Sequence, residues 1–185
     1  MAATLSNMLE LGTQAPDFEL PDTVTGKNIR LRAMQSEKAT VIMFICNHCP
    51  YVKHVRQELA NLGNDYMPKG VSFLAISSND VEHYPEDSPE NMKKVAEAWE
   101  LPFSYLYDET QEVAKAYQAA CTPDFYIFDG GLQLVYRGQL DDARPGNNIP
   151  VTGQDVRNAL DNILAGKPVD DQQKPSIGCN IKWKS

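Results

Sequence analysis

Long hydrophobic runs are missing from this sequence: the strongest, Val41 to Ile45, lasts five residues, where a membrane-spanning helix needs about 20. Membrane spanning is excluded. Basic stretches are missing too. Asp and Glu outnumber Lys and Arg by 25 to 17, giving a net charge of −8, and no segment concentrates bases as a phosphate-binding surface does. Neither a membrane nor nucleic acid is an expected partner. No Lys or Arg precedes Lys27, and Met1 to Gly26 holds no long apolar run, so both parts of a secretory signal are wanting and the expected location is cytoplasmic. Cysteine is scarce, with only Cys46, Cys49, Cys121 and Cys179 in 185 residues. A chain of that length buries roughly 70% of the surface its unfolded form exposes, so it folds without disulfide staples or a structural metal. In a reducing compartment, four thiols then point to catalytic, redox or metal work rather than a permanent framework.

What is present reads as one domain over residues 1–185, with a core of about 11–165 and an irregular tail over 169–185. The prolines between Leu11 and Asp22 mark an extended segment, and the Gly26-Lys27 turn with Ile29 and Leu31 marks a small hairpin. Ala39 to Cys46 is almost unbroken in hydrophobicity, the pattern of a strand buried on both faces and central in its sheet. After Cys49, apolar residues at Val52, Val55, Leu59 and Leu62 predict a helix that ends at Gly63. Val71 to Ser77 reads as a second buried strand, followed by an acidic loop from Asn79 to Asp87 and a helix opened by Ser88-Pro89. Phe103 to Tyr107 is a short strand, and Asp108 with Gln111 signals a helix through Val113 and Tyr117. Asp129-Gly130-Gly131 joins two apolar runs into a hairpin, and Thr152 caps a last helix through Val156, Leu160 and Leu164. Strands alternating with helices give the α/β class, a mixed sheet covered on both faces in which only the final hairpin is antiparallel.

Cys46-Asn47-His48-Cys49 is the most informative string. A helix N-terminus carries roughly half a positive charge, which stabilises a thiolate, and the CxxC spacing lets two sulfurs close a small ring. The thiolate is the attacking species in disulfide exchange, so a lowered pKa supplies nucleophile at cellular pH. His48, if cationic or donating to sulfur, pushes the same way, with Asn47 as the other tuning neighbour. Half of a zinc site is the competing reading, but it needs two further ligands at recognisable spacing, and Cys121 and Cys179 stand alone. No metal and no cofactor is expected.

These residues carry a resemblance. Gly12 to Asp22, the strand Val41 to Ile45 feeding Cys46-Asn-His-Cys49-Pro50, and Thr122-Pro-Asp-Phe-Tyr-Ile-Phe-Asp129 together resemble the thioredoxin-like redoxins, in the branch with peroxiredoxins and alkyl hydroperoxide reductase-like proteins. The resemblance implies a thioredoxin-like fold with an N-terminal hairpin extension. It implies that Thr122-Pro123 is a cis bond facing the CxxC, where neighbouring backbone pairs with an incoming extended peptide. Cys121 is then expected near Cys46 or Cys49 as an additional redox partner, or else packs as a small hydrophobe. Cys179 in the tail is a resolving thiol or packs beside Trp183.

The family offers two chemistries. Peroxiredoxins resemble each other in a Thr or Ser three residues before the peroxide-attacking cysteine and in a later Arg. Here Cys46 stands three before Cys49, and Pro123 stands at about the place of that Arg. The expected activity is therefore thiol–disulfide exchange through Cys46 and Cys49, with Cys46 as the exposed attacking thiolate and Cys49 resolving. A thiol peroxidase and a non-catalytic peptide-binding module are the alternatives. The implied partners are a protein or small-molecule disulfide and a thiol electron donor. The buried acid that thioredoxins keep six residues before the first cysteine is Thr40 here. Arg137 to Gly146, rich in charges and turn formers, reads as a solvated loop or a substrate rim.

Overall fold

Ala39–Phe44 (β4) is buried at every position and becomes the middle of a five-stranded sheet. The computed structural model describes residues 3–185. Val71–Ser77 (β5) pairs parallel with β4, and Ser104–Tyr107 (β6) pairs parallel with β5. On the other side of β4 lie Asp124–Asp129 (β8) and Leu134–Gly138 (β9), both antiparallel. Only the final hairpin breaks the parallel order, as the sequence predicts. Glu19–Pro21 (β2) and Asn28–Arg30 (β3) form the small hairpin, followed by one turn of helix, Leu31–Met34 (α1).

The alternation of β4 sorts two cores. Val41, Met43 and Ile45 face one side, where Pro50–Tyr66 (α2), Pro89–Ala98 (α3) and Gln154–Leu164 (α5) supply Leu59, Leu62, Met92, Val156 and Leu160. Ile42 and Phe44 face the other, against Phe18, Leu31 and the residues Ala114 and Tyr117 at Glu112–Ala116 (α4) and its C-cap. Each of the Val, Leu, Ile, Met and Phe side chains among these, when fully buried, contributes about 1.5–3 kcal/mol. The sheet is therefore covered on both faces, a thioredoxin-like α/β fold.

Several local expectations change. Helix α2 continues past Gly63 to Tyr66, because this glycine faces inward and a Cβ there would strike the Pro102 and Phe103 side chains. It serves close approach rather than termination. The N-cap of α5 is Gly153, and the Asp141 carboxylate accepts from the Thr152 and Gly153 N–H groups at 2.8 and 2.7 Å. Residues 137–146 are not a solvated loop: Arg137, Gln139, Leu140, Asp141 and Ala143 are buried. Arg137 is fully enclosed, paired with Asp124 at 3.0 Å and stacked over the Tyr126 ring.

The tail differs most. In place of an irregular segment, Ile177–Asn180 forms a strand (β10) between Ala3–Leu5 (β1) and Cys121–Thr122 (β7), antiparallel to both. Side-chain periodicity could not reveal it, because Gly178 and Cys179 are the buried residues of the strand. Beyond it, Lys182 is tied to Asn79, Asp80 and Gln111.

Candidate active site

Cys46 follows the C-terminal end of β4, and Cys49 is the N-cap of α2 with Pro50 at its first position. The Val52 and Lys53 N–H groups donate to the Cys49 carbonyl, and the Val52 N–H at the positive end of this 17-residue helix also favours charge on the Cys49 sulfur. Thr122 reaches the pair from β7: its hydroxyl is 3.5 Å from Cys46 Sγ and its carbonyl oxygen 3.3 Å from Cys49 Sγ. The third sulfur is unexpected in its closeness. Cys179 Sγ, on β10, lies 2.7 Å from Cys49 Sγ. All four cysteines are free thiols and all are buried.

Among the three sulfurs, the surroundings favour ionisation at Cys49. Hydrogen bonds from the thiols of Cys179 and then Cys46 hold its pKa far below the usual thiol range, against the opposing effect of burial. Cys46 is pushed up, first as a donor to Cys49, then by burial and by the negative charge of Asp87. Cys179 is pushed up likewise, by donation to Cys49 and by burial. The expectation of an exposed Cys46 is corrected: Cys46 is 1% exposed and Cys49 0%, so exposure does not single out either sulfur.

Asp87 organises the residues between the cysteines. Its buried carboxylate accepts from the Asn47 N–H at 2.7 Å, from His48 Nδ1 at 2.6 Å and from Asn79 Nδ2 at 2.9 Å. His48 therefore engages a carboxylate and no sulfur, and Asp87 raises its pKa. The imidazole stacks on Tyr84, and its Nε2 is buried with no hydrogen-bond partner among the described residues. Asn47 donates to the Glu86 carbonyl and accepts from the Tyr105 hydroxyl, so its side chain braces the turn. Asp87 lies in the segment read only as an acidic loop; its place before Ser88-Pro89 gave no sign of it. Thr40, where the resemblance sets an acid, accepts from the Ser36 N–H instead.

The peptide bond Thr122-Pro123 is cis, as the resemblance implies. Cys121 is not part of the trio. Successive side chains on a strand point to opposite faces, and Thr122 is the residue that faces Cys46 and Cys49. The Cys121 thiol points instead toward the Pro123 carbonyl, its pKa pushed up by burial and by Asp124. The edge of β7 expected to receive substrate is paired with β10, Thr122 opposite Cys179. Donor atoms of Cys46, His48 and Asp87 come within 4.8 Å of one another, and His48 Nδ1 lies 2.6 Å from Asp87.

A thiol pair at a strand-to-helix junction in this fold defines a thioredoxin-like redoxin. The sequence profile of the AhpC/TSA family matches residues 11–137, and the chain belongs to that family. It is similar to an uncharacterized conserved protein from Geobacillus kaustophilus, at 69% identity and a TM-score of 0.98, over 100% of this chain and 97% of that one. A hypothetical protein from Sinorhizobium meliloti is 48% identical, with a TM-score of 0.96 over 98% and 99% of the two chains. A peroxidoxin from Mycobacterium tuberculosis shares the fold at 18% identity and a TM-score of 0.63, over 86% of this chain and 98% of that one. No curated protein matches the chain. No helix among the described residues is long and apolar enough to cross a membrane.

Proposed function

We propose that this protein is a thiol–disulfide oxidoreductase that cycles Cys46 and Cys49 between dithiol and disulfide. The observation that carries the reading is the position of Cys49 Sγ, at the N-terminus of α2 and 2.7 Å from Cys179 Sγ, where the helix end and the neighbouring thiols favour a thiolate. Cys49 as thiolate attacks a disulfide RSSR; the bond from Cys49 Sγ to one substrate sulfur forms as the S–S bond breaks and RS⁻ leaves. Cys46 then attacks Cys49 Sγ, closes the Cys46–Cys49 bridge and expels the second RS⁻, which takes up the Cys46 proton. Two electrons pass to the substrate, and a thiol donor returns them. The roles are thus the reverse of those expected from sequence.

A thiol peroxidase is the second reading, favoured by one feature: the surroundings that lower a thiol pKa act on Cys49, the position that the resemblance matches to the peroxide-attacking cysteine. Against it, Arg137 is bound to Asp124 and to the Tyr117 and Gln118 carbonyls, so it is not free to polarise a peroxide. A purely peptide-binding role is disfavoured because β10 fills the docking edge.

Incubating reduced protein with oxidised glutathione and, separately, with hydrogen peroxide tests the reading. The expected result is release of glutathione and a mapped Cys46–Cys49 bridge. Turnover of peroxide with sulfenic acid at Cys49, and none of the disulfide, would establish the second reading instead.

A further inference from the structure

We propose that β10 is an internal exchange strand: it fills the edge of β7 that an extended substrate would pair with, and it carries Cys179 as a second thiol able to take the disulfide from Cys49. This deepens the proposed function, since it rests on Cys49 as the reacting sulfur.

Three independent features of the structure converge on it. Cys179 Sγ is 2.7 Å from Cys49 Sγ, so the two atoms that must bond are already in contact. The backbone of β10 pairs antiparallel with β7 in a register that sets Cys179 opposite Thr122, the residue touching both Cys46 and Cys49. Gly178, beside Cys179, has no side chain because a Cβ there would collide with the Thr122 carbonyl and the Pro123 nitrogen. The glycine is what lets the strand lie against this edge. Ser6 and Ser176 fasten its start: the Ser6 N–H donates to the Ser176 carbonyl, the Ser176 N–H to Ser6 Oγ, and Ser176 Oγ to the Pro123 carbonyl.

The chemistry is an internal exchange with no net redox change. In oxidised protein the Cys179 thiol attacks Cys49 Sγ of the Cys46–Cys49 bridge; the Cys49–Cys179 bond forms, the Cys46–Cys49 bond breaks, and the proton of Cys179 ends on Cys46. In a mixed disulfide between Cys49 and a substrate, the same attack expels the substrate thiolate, which takes that proton. Cys49 thus has two resolving partners, one on its own helix turn and one on a strand that blocks the substrate edge. With Cys46, Cys49 and Cys179 at 1%, 0% and 2% exposure, an extended protein disulfide reaches Cys49 only when β10 lifts.

The test is bridge mapping by mass spectrometry after mild oxidation of the full chain with diamide. In Cys46→Ser protein the expected product is an intramolecular Cys49–Cys179 bridge whose rate does not depend on protein concentration. Gly178→Ala in the same background should slow that bridge about tenfold and speed alkylation of Cys179 in the reduced protein by a similar factor, because local opening sets both. Cys46→Ser protein in which Cys49 is capped by oxidant while Cys179 stays a free thiol overturns the proposal, as does one zinc ion per chain shielding the three thiols. If the Cys49–Cys179 bridge forms but wild-type protein reduces no disulfide substrate, the exchange strand stands and the proposed function falls.

Discussion

The sulfurs of Cys49 and Cys179 are 2.7 Å apart although 130 residues separate them in the chain. The contact stabilises negative charge on Cys49, and removing the Cys179 thiol takes away the largest contribution to that stabilisation. Cys179→Ala should therefore raise the pH at which the Cys49 thiolate appears in an ultraviolet titration. An unmoved titration would mean that α2 alone sets the charge.

Asp87 accepts three hydrogen bonds in a buried position and raises the pKa of Cys46 through its charge. Asp87→Asn replaces one acceptor oxygen by an NH2 facing donors, which should cost about 1–3 kcal/mol in a urea unfolding experiment. The same variant should make Cys46 alkylate faster at a fixed pH, because the repelling charge is gone. Full stability with unchanged Cys46 labelling would contradict this role.

His48 gains a carboxylate partner on folding, so its folded pKa lies above its ordinary value of 6.5. The pair's contribution to stability is fully present below about pH 6.5 and is lost as pH rises through the higher folded value. The unfolding midpoint should fall over that interval in wild type, and His48→Gln should remove this part of the slope. A slope of the opposite sign would contradict the His48–Asp87 pairing.

Arg137 and Asp124 are both fully enclosed, and Asp124 begins the strand that follows Pro123. Breaking such a buried pair from one side typically costs about 3–5 kcal/mol, because a charge is left without a partner. Arg137→Met should lose that much in denaturant unfolding, and adding Asp124→Leu should recover part of it. Equal stability of the single and double variants would show that the charge of Asp124 is compensated elsewhere.

Most of the sheet was legible because each strand carries its own signal: β4 is apolar at five of the six positions from Ala39 to Phe44, and Asp129-Gly130-Gly131 marks the β8–β9 turn. The CxxC junction and Pro123 were legible for the same local reason. What was not legible depends on contacts across the chain. Asp87 looks like any acidic loop residue until the fold sets it under Asn47 and His48. Cys179 was visible as a cysteine, but its strand is Ile-Gly-Cys-Asn, held by backbone pairing to β1 and β7 that leaves no periodic trace. Strand alternation gives the side chain of Thr122, rather than that of Cys121, the face toward Cys46. An exposed Cys46 was expected because its burial depends on contacts across the chain, with the Thr122 hydroxyl 3.5 Å from its sulfur and the Asp87 charge acting on it.

The most direct test of the account is trapping of a substrate disulfide in serine variants, since it asks which sulfur attacks. Cys46→Ser with Cys179→Ser removes both resolving thiols and should accumulate a mixed disulfide at Cys49 with oxidised glutathione, whereas Cys49→Ser should accumulate none. A mixed disulfide at Cys46 in Cys49→Ser protein, with nothing trapped in the double variant, would contradict Cys49 as the attacking thiolate.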